Sequence, residues 1–187
     1  MSARLDVLAP GYADQRVAST VVLVRDGDLV AVVDPGMVAS RSVILGPLTT
    51  LGVAPDAVTD VVFSHHHPDH TLSAALFPAA RFHDHQAIYR DDVWDDREAE
   101  GFHLSESVWL LQTPGHTPQD VTTAVLTEAG LIVCTHLWWS AQGPLHDPYA
   151  PDPAVLRSSR ERVLALAPAM VVPGHGAGFV PGASTPL

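Results

Sequence analysis

Short apolar, β-branched runs alternate with turn residues along most of the chain. Residues 17–24 and 29–33 are two such runs, and Asp26-Gly27-Asp28 between them is a hairpin signal. A second hairpin is predicted for 121–127 and 131–134, around Glu128-Ala129-Gly130. Further strands are predicted at 61–63, 81–83, 108–112 and 170–172.

Helical signals occur between these runs. Residues 40–51 form one predicted helix, which Gly52 closes, and residues 72–76 form a short one that ends before Pro78. Asp152 is a predicted N-cap, with Pro153 at the first helical position of a helix that runs to about Leu166. Strand-rich halves followed by helices predict two sheets with helices packed on the outside.

Residues that can bind a metal follow the strand predicted at 61–63. The segment His65-His66-His67-Pro68-Asp69-His70 has the form H-x-H-x-D-H. Imidazole and carboxylate groups are ligands that zinc and similar first-row metals prefer. His65 and His67 project to the same side because side chains in an extended segment alternate, and Asp69 and His70 follow where the chain starts to coil. Such a segment can serve two adjacent metal ions.

Three later histidines also stand just after apolar runs. They are found in Thr113-Pro114-Gly115-His116, in Cys134-Thr135-His136 and in Pro173-Gly174-His175. A rigid scaffold gathers the side chains of a site on loops at strand ends, so we expect these histidines to join the first motif. The remaining histidines lack this context and are expected at the surface or in supporting positions: His66, His83, His85, His103 and His146.

The composition favours a single globular domain over residues 1–187. No apolar stretch approaches the ~20 residues of a membrane span, and residues 1–12 lack the apolar core of a signal peptide. The one cysteine, Cys134, fits a reducing compartment. We therefore expect a cytoplasmic protein without membrane attachment.

The charge balance bears on possible partners. The formal net charge is −11, and all ten basic residues are arginine. Binding to extended nucleic acid, which depends on basic side chains against phosphates, is therefore not expected. The charge does not exclude a small anionic substrate, because bound metal ions would add strong local positive charge. Nothing in the sequence indicates an oligomeric state.

The order of these motifs resembles the metallo-β-lactamase superfamily, over nearly the whole chain. Three segments are closer still to its small metallo-β-lactamase domain-containing protein 1 group, namely residues 51–55 (LGVAP), 76–80 (LFPAA) and 171–176 (VVPGHG). The resemblance implies an α+β fold, a four-layer αββα sandwich of two mixed β-sheets flanked by helices. It also implies a hydrolytic site with one or two metal ions.

The resemblance also implies roles for individual residues. His65, His67 and His116 correspond to the ligands of a first metal ion, and Asp69, His70 and His175 to those of a second. Asp34, at the end of an early predicted strand, corresponds to a carboxylate that orients a ligand histidine. A plain turn residue is the alternative for Asp34.

Position 136 departs from the superfamily's pattern. The superfamily usually has an aspartate there, and its carboxylate bridges the two ions, whereas this chain has His136. A neutral imidazole cannot bridge two ions through one atom, so His136 either binds a single ion or points away. Asp69 would then be the only carboxylate among the ligands. Either the second ion binds more weakly, or an anion compensates for the missing charge.

The resemblance implies a metal-dependent hydrolase that uses a metal-activated water on an ester, thioester, lactone, amide or phosphodiester. The expected cofactor is zinc, one or two ions, with iron or manganese as alternatives, and Asp69 would also accept a hydrogen bond from the attacking water. The expected substrate is small and anionic, with Tyr12, Trp138 and Trp139 as candidates for its pocket wall. Core packing explains one of the two tryptophans equally well. Two alternatives remain, a mononuclear non-haem iron oxygenase and a non-catalytic metal-binding member of the same fold.

Overall fold

The computed structural model describes residues 2–187. The strands, in chain order, are β1 (Arg4–Ala9), β2 (Tyr12–Ala13), β3 (Val17–Ala18), β4 (Val21–Asp26), β5 (Leu29–Val33), β6 (Asp60–Val62), β7 (Arg81–His83), β8 (Ala87–Arg90), β9 (Val93–Asp96), β10 (Val108–Gln112), β11 (Val121–Thr127), β12 (Gly130–Thr135) and β13 (Met170–Pro173). The helices are α1 (Ser42–Thr50), α2 (Pro68–Thr71) and α3 (Pro153–Ala165), with 3-10 turns at Pro55–Ala57 and Ala74–Leu76.

The strands form two main mixed sheets. The larger sheet has the order β1-β4-β5-β6-β7-β8-β9, in which β5, β6 and β7 are parallel and the other neighbours antiparallel. The smaller sheet has the order β10-β11-β12-β13, and its last pair is parallel. β2 and β3 form a separate small hairpin.

Side-chain alternation along the strands generates the layers. Val22 and Val24 of β4 pack in the core between the sheets, against Leu110 and Val125 of the smaller sheet. The intervening Leu23 faces the opposite way, into a second apolar cluster. The two sheets therefore share one buried core and each has a second apolar face that a helix covers.

The outer faces are covered by α1 and α3. Ile44 and Leu48 of α1 are fully buried with Leu23 on the larger sheet, whereas Leu156 and Val163 of α3 pack on the smaller sheet. Asp152 caps α3 by accepting a hydrogen bond from the amide of Ala154, as its position predicts. The architecture is the αββα sandwich expected from the sequence.

The prediction of one continuous strand at 17–24 is wrong, because the chain forms two strands, β3 and β4, with a break at Ser19 and Thr20. The amide of Ser19 donates to the Asp69 carbonyl (3.3 Å), and the amide of Thr20 donates to the Gly174 carbonyl (2.7 Å). These two residues leave the sheet ladder in order to hold two of the histidine-bearing loops. The helix predicted at 72–76 is also displaced, since the α-helical turn is α2 and only a 3-10 turn follows.

The sequence patterns miss β1, β8 and β9, which lie at or near the edges of the larger sheet. β9 has the sequence VWDD and all four residues are exposed, so its apolar pair is too short to stand out as a strand pattern. Charged edge strands of this kind discourage pairing with other chains. In the described part of the chain, no helix combines the length and apolar character needed to cross a membrane.

Candidate metal centre

The histidines predicted as ligands converge at one edge of the two sheets, on the loops that follow β6, β10, β12 and β13. The ring of His65 lies 4.3 to 5.0 Å, between centroids, from those of four others. The ring of His136 lies 5.0 Å from that of His175. We call this group the histidine cluster: His65, His67, His70, His116, His136 and His175.

Carboxylates hold two of these imidazoles through Nδ1. His70 Nδ1 lies 2.9 Å from Asp34 Oδ2, and His116 Nδ1 lies 2.8 Å from Asp147 Oδ2. An ionised carboxylate only accepts, so each Nδ1 donates and each Nε2 is directed towards its neighbours in the cluster. Metal-binding histidines typically have this arrangement, in which the outer hydrogen bond fixes the ring and its tautomer.

Two other imidazoles are held in the same way by uncharged groups. His175 Nδ1 donates to the carbonyl oxygen of Ala18 at 2.8 Å, and His65 Nδ1 lies 3.0 Å from the hydroxyl of Ser64. The inward nitrogens of His65 and His70 are buried and have no hydrogen-bond partner. Buried polar atoms are rarely left in this state, because the unmade interaction costs about 1–3 kcal/mol each.

The remaining nitrogens approach one another closely. His67 Nδ1 lies 3.1 Å from His116 Nε2, and His136 Nε2 lies 3.1 Å from His175 Nε2. Donor atoms of His65, His116 and His136 lie within 4.8 Å of one another, as do those of His70, His136 and His175. Zinc–nitrogen bonds of about 2.0–2.1 Å would span such gaps, so the residues present fit one or two first-row metal ions.

Electrostatics favours the metal-binding form of most of these side chains. Burial lowers the pKa of His65 and of His136 well below the usual value, and neighbouring imidazoles lower it further. Burial also lowers the pKa of His67 and of His175. These imidazoles are therefore neutral at neutral pH, which is the form that binds metals.

His70 and Asp69 behave differently. Burial would lower the pKa of His70, but the carboxylates of Asp34 and Asp69 outweigh it and raise this pKa to about 9. Burial would raise the pKa of Asp69, but the neighbouring His70 imidazole outweighs burial and lowers it. Asp69 Oδ2 lies 3.4 Å from His70 Nε2 and 3.6 Å from His175 Nε2. At neutral pH the raised pKa keeps a proton on His70 Nε2, and a metal ion bound at this nitrogen would have to displace that proton.

His136 points into the cluster and not away from it. The ring packs directly against Gly174, where an added Cβ would lie 2.2 Å from His136 Cδ2. Its Nδ1 is buried without a hydrogen-bond partner, and donor atoms of His136 belong to both of the close triads. Of the two alternatives for position 136, the geometry therefore favours the one in which the imidazole serves the site.

Asp34 is the main support of the H-x-H-x-D-H loop. Its Oδ1 accepts a hydrogen bond from the Ser64 amide at 2.7 Å, while Oδ2 holds His70. The residue adopts a left-handed backbone conformation, with φ of 53°. The chain then passes so close to the loop that a Cβ at Gly36 would lie 1.5 Å from the Asp69 carbonyl oxygen. Asp34 thus holds both the loop and the His70 ring, and its role as the orienting carboxylate of a metal ligand stays a prediction.

A cavity of about 410 Å³ opens onto the cluster. Its aromatic wall consists of Trp139 and Tyr149, whose rings stack with centroids 6.0 Å apart. The lining residues are Ala13, Asp14, Val17, His67, Pro68, Asp69, His116, His136, Trp139, Tyr149 and His175. A substrate bound there would contact both the metal ligands and the aromatic wall.

The structure corrects two of the predicted pocket residues. Trp138 is completely buried in the core under α3 and donates from Nε1 to the Pro186 carbonyl, because its side chain projects opposite to that of Trp139. Tyr12 does not line the cavity; its ring lies under the Arg16 guanidinium, and its neighbours Ala13 and Asp14 line the cavity instead.

The sequence analysis missed Asp147 and Tyr149. Asp147 holds His116, accepts from Trp139 Nε1 at 3.0 Å and accepts from the Tyr149 amide at 2.9 Å. Both residues lie in the connection between β12 and α3, which has no strand-end motif. Its length is the available signal, because long irregular connections in compact domains are usually functional.

The histidines predicted at the surface or in supporting positions fall into separate environments. His66 and His103 are exposed, and His85 is half-buried. His83 is fully buried, contrary to a surface position, and lies 2.7 Å from Asp60 Oδ1 in the larger sheet. It is held there by a carboxylate of its neighbouring strand and contributes no nitrogen to the cluster.

Comparison with known proteins establishes the family. A family model described as the metallo-beta-lactamase superfamily matches residues 14–175. The chain belongs to this superfamily, as its motifs predict.

Relatives named metallo-beta-lactamase domain-containing protein 1 occur in several animals. The protein of Mus musculus is 36% identical over 155 residues, which are 79% of this chain and 59% of the mouse protein. That of Xenopus laevis is 31% identical over 186 residues, which are 92% of this chain and 79% of the relative. The resemblance to this group is therefore confirmed, although the chain spans only about three fifths of the mouse relative's length.

Solved structures share the fold at low sequence identity. A candidate metallo-beta-lactamase from Thermotoga maritima is 22% identical with a TM-score of 0.77, covering 97% of this chain and 100% of its own. An N-acyl homoserine lactone hydrolase, solved with its product at the catalytic metal centre, is 18% identical with a TM-score of 0.67, covering 93% and 92%. A protein solved in a di-iron-bound form is 23% identical with a TM-score of 0.68, covering 91% and 93%.

Proposed function

We propose that this protein is a metal-dependent hydrolase whose histidine cluster holds one or two ions. The observation that carries the proposal is the shared orientation of His65, His70, His116 and His175. Each has Nδ1 held from outside the cluster by an oxygen 2.8 to 3.0 Å away. A purely structural histidine network would have no reason to leave inward nitrogens unpaired in a buried place.

When bound, a zinc-type ion would polarise the electrophilic oxygen of a substrate and acidify water. The chain itself supplies Asp69, whose carboxylate lines the cavity and lies beside His70 and His175. We assign it two tasks, metal ligand and hydrogen-bond acceptor for the attacking water. No serine or cysteine nucleophile is required, and Cys134 is buried in the core.

The cavity favours a small substrate with an acyl or similar electrophilic group. A volume of about 410 Å³ lies within the range of small-molecule sites. Trp139 and Tyr149 offer an apolar surface, while no arginine lines the cavity in the described part of the chain. An anionic group on the substrate would therefore be held at the metal centre, and the apolar part would lie on the aromatic wall. Esters, thioesters and lactones that yield a carboxylate product fit this division.

Zinc is the proposed metal because the donors are mainly imidazoles and the geometry suits bonds near 2.1 Å. Iron is the principal competitor, since a protein of the same fold has been solved in a di-iron-bound form. Elemental analysis of the purified protein decides between them.

Turnover on panels of esters, thioesters, lactones and phosphodiesters tests the proposal. Wild type should be active, His116→Ala inactive, and His103→Ala fully active, because His103 is exposed and remote from the cluster contacts. Oxygen uptake by an iron-loaded protein would indicate an oxygenase instead. A metal-loaded protein without turnover on any panel would indicate a non-catalytic metal-binding member of the fold.

A further inference from the structure

A second group of potential ligands lies outside the histidine cluster. It consists of His66, Asp84 and His85, and it is called the outer triad below. One donor atom from each of these residues lies within 4.8 Å of the other two. None of the three lines the cavity beside the cluster.

Strand pairing explains why these residues meet. β6 and β7 are parallel neighbours, with Val62 opposite His83 in register. The loops that follow therefore start at the same level and leave the same edge of the sheet. His66 comes from the loop after β6, and Asp84 and His85 come from the loop after β7.

His66 projects away from the histidine cluster because it alternates with His65 and His67. Its ring packs near Phe63, with centroids 6.0 Å apart, and its Nε2 lies 3.1 Å from Asp84 Oδ2. The imidazole is 42% exposed, so ions from solution can reach it.

Asp84 is a preorganised ligand. Its Oδ1 accepts hydrogen bonds from the amides of Gln86 (2.9 Å) and Ala87 (2.8 Å), which fix the carboxylate while Oδ2 faces His66. Burial would raise the pKa of Asp84, but the hydrogen bond from His66 and those from the two amides lower it below the usual value. The carboxylate is thus charged, rigid and only 4% exposed.

His85 supplies the independent observation that points to a ligand. Its Nδ1 is buried and has no hydrogen-bond partner, although it lies 3.9 Å from Asp84 Oδ1. A buried imidazole nitrogen without a partner is costly unless it coordinates something. Its ring stands nearly perpendicular to that of His66, with centroids 6.3 Å apart.

We propose that the outer triad is a second metal site, in which His66 Nε2, the Asp84 carboxylate and His85 Nδ1 bind a zinc-like divalent ion. Two imidazoles and one carboxylate match the preference of borderline first-row metals, and the remaining positions would be taken by water. The ion would join the H-x-H-x-D-H loop to the loop after β7. This site is distinct from the proposed catalytic centre and does not depend on it.

The experiment is a calorimetric titration of zinc into the purified protein as isolated, with its cluster metal in place. Wild type should bind one more equivalent of zinc than His85→Gln, or bind that equivalent at least about tenfold more tightly. The reason is that loss of a direct ligand weakens metal binding at least as much as loss of a residue that supports a ligand. His66→Gln should reproduce the loss. His103→Gln is the matched control, because that exposed histidine belongs to neither site, and it should behave as wild type.

Anomalous diffraction from zinc-soaked crystals locates the ion. The proposal predicts a peak between His66 and His85 in wild type that disappears in His85→Gln, while the metal content and turnover of the cluster stay unchanged. Equal zinc binding by wild type and both variants, or a peak at the cluster alone, would overturn it. Failure of the hydrolase proposal would appear as absent turnover and would leave this comparison intact.

Discussion

His116 and Asp147 form a buried pair, with Nδ1 and Oδ2 2.8 Å apart. The same carboxylate accepts a hydrogen bond from Trp139 Nε1, and its other oxygen accepts from the Tyr149 amide. One side chain thus orients a proposed metal ligand and both aromatic residues of the cavity wall. If the proposed function holds, metal binding and substrate binding would be coupled through Asp147.

Asp147→Asn should therefore weaken metal binding by about 10- to 100-fold, the usual effect of losing a supporting carboxylate. The asparagine side chain is uncharged and has only one acceptor oxygen. It would therefore no longer fix the His116 tautomer and also keep the other hydrogen bonds of Asp147. Competition with a chromophoric chelator measures the affinity. Asp95→Asn, a change on the exposed β9, is the control and should have no effect. Equal affinity in all three proteins would refute the orienting role.

His136→Asp tests whether the missing carboxylate at position 136, where this chain departs from the superfamily's pattern, weakens the binding of a second ion. A carboxylate there would add the negative charge that the centre otherwise lacks, so the second ion should bind more tightly and inhibition by phosphate should weaken. His136→Asn matches aspartate in size without its charge and should not produce this gain. Calorimetric metal titration and inhibition assays compare the proteins. Identical second-ion affinity in wild type and His136→Asp would eliminate the charge argument.

Gly174→Ala should displace His136, because the new Cβ would lie 2.2 Å from the ring. We expect loss of at least one metal equivalent, measured by elemental analysis. Gly46→Ala is the matched control, because its Cβ would meet nothing within 4 Å. Alanine in a helix interior is favoured over glycine by about 1 kcal/mol, so this control should keep its metal and gain slight stability. Full metal content in Gly174→Ala would show that His136 is not a ligand.

Metal removal should destabilise the fold. Without an ion, buried nitrogens of His65 and His136 lack partners, at about 1–3 kcal/mol each. Chelation should lower the melting temperature by on the order of 5 °C or more, and added zinc should restore it. Differential scanning calorimetry measures the shift, and His65→Ala should respond less than wild type. A melting temperature that chelator leaves unchanged would contradict a metal at the cluster.

Much of the site could be predicted because each expected ligand follows an apolar strand at a sheet edge. The period-two alternation correctly separates His66 from His65 and His67. Alternation alone does not tell which of two adjacent side chains faces outward, and for this reason Trp138 was assigned to the pocket although it lies in the core. The length of the connection between β12 and α3 marks that loop as a candidate, but it does not single out Asp147, because the loop has no regular pattern and the contacts of Asp147 are distant in sequence.

The fold likewise has parts that local sequence patterns predict and parts that they do not. The inner strands could be predicted from their β-branched runs, since both of their faces are buried. The edge strand β9 is exposed throughout, and its two apolar residues, Val93 and Trp94, are too few to predict a strand. The break at Ser19 and Thr20 depends on hydrogen bonds to Asp69 and Gly174, which lie far away along the chain.

The metal content of the purified protein tests the central claim most directly. Elemental analysis should find one to two transition-metal ions per chain at the cluster in wild type and in His103→Ala. His85→Gln, which lacks a ligand of the outer triad, gives the metal content of the cluster alone. His116→Ala should lose metal because a direct ligand is gone. A fully folded wild-type protein without metal, or a His116→Ala protein with undiminished metal, would contradict the account.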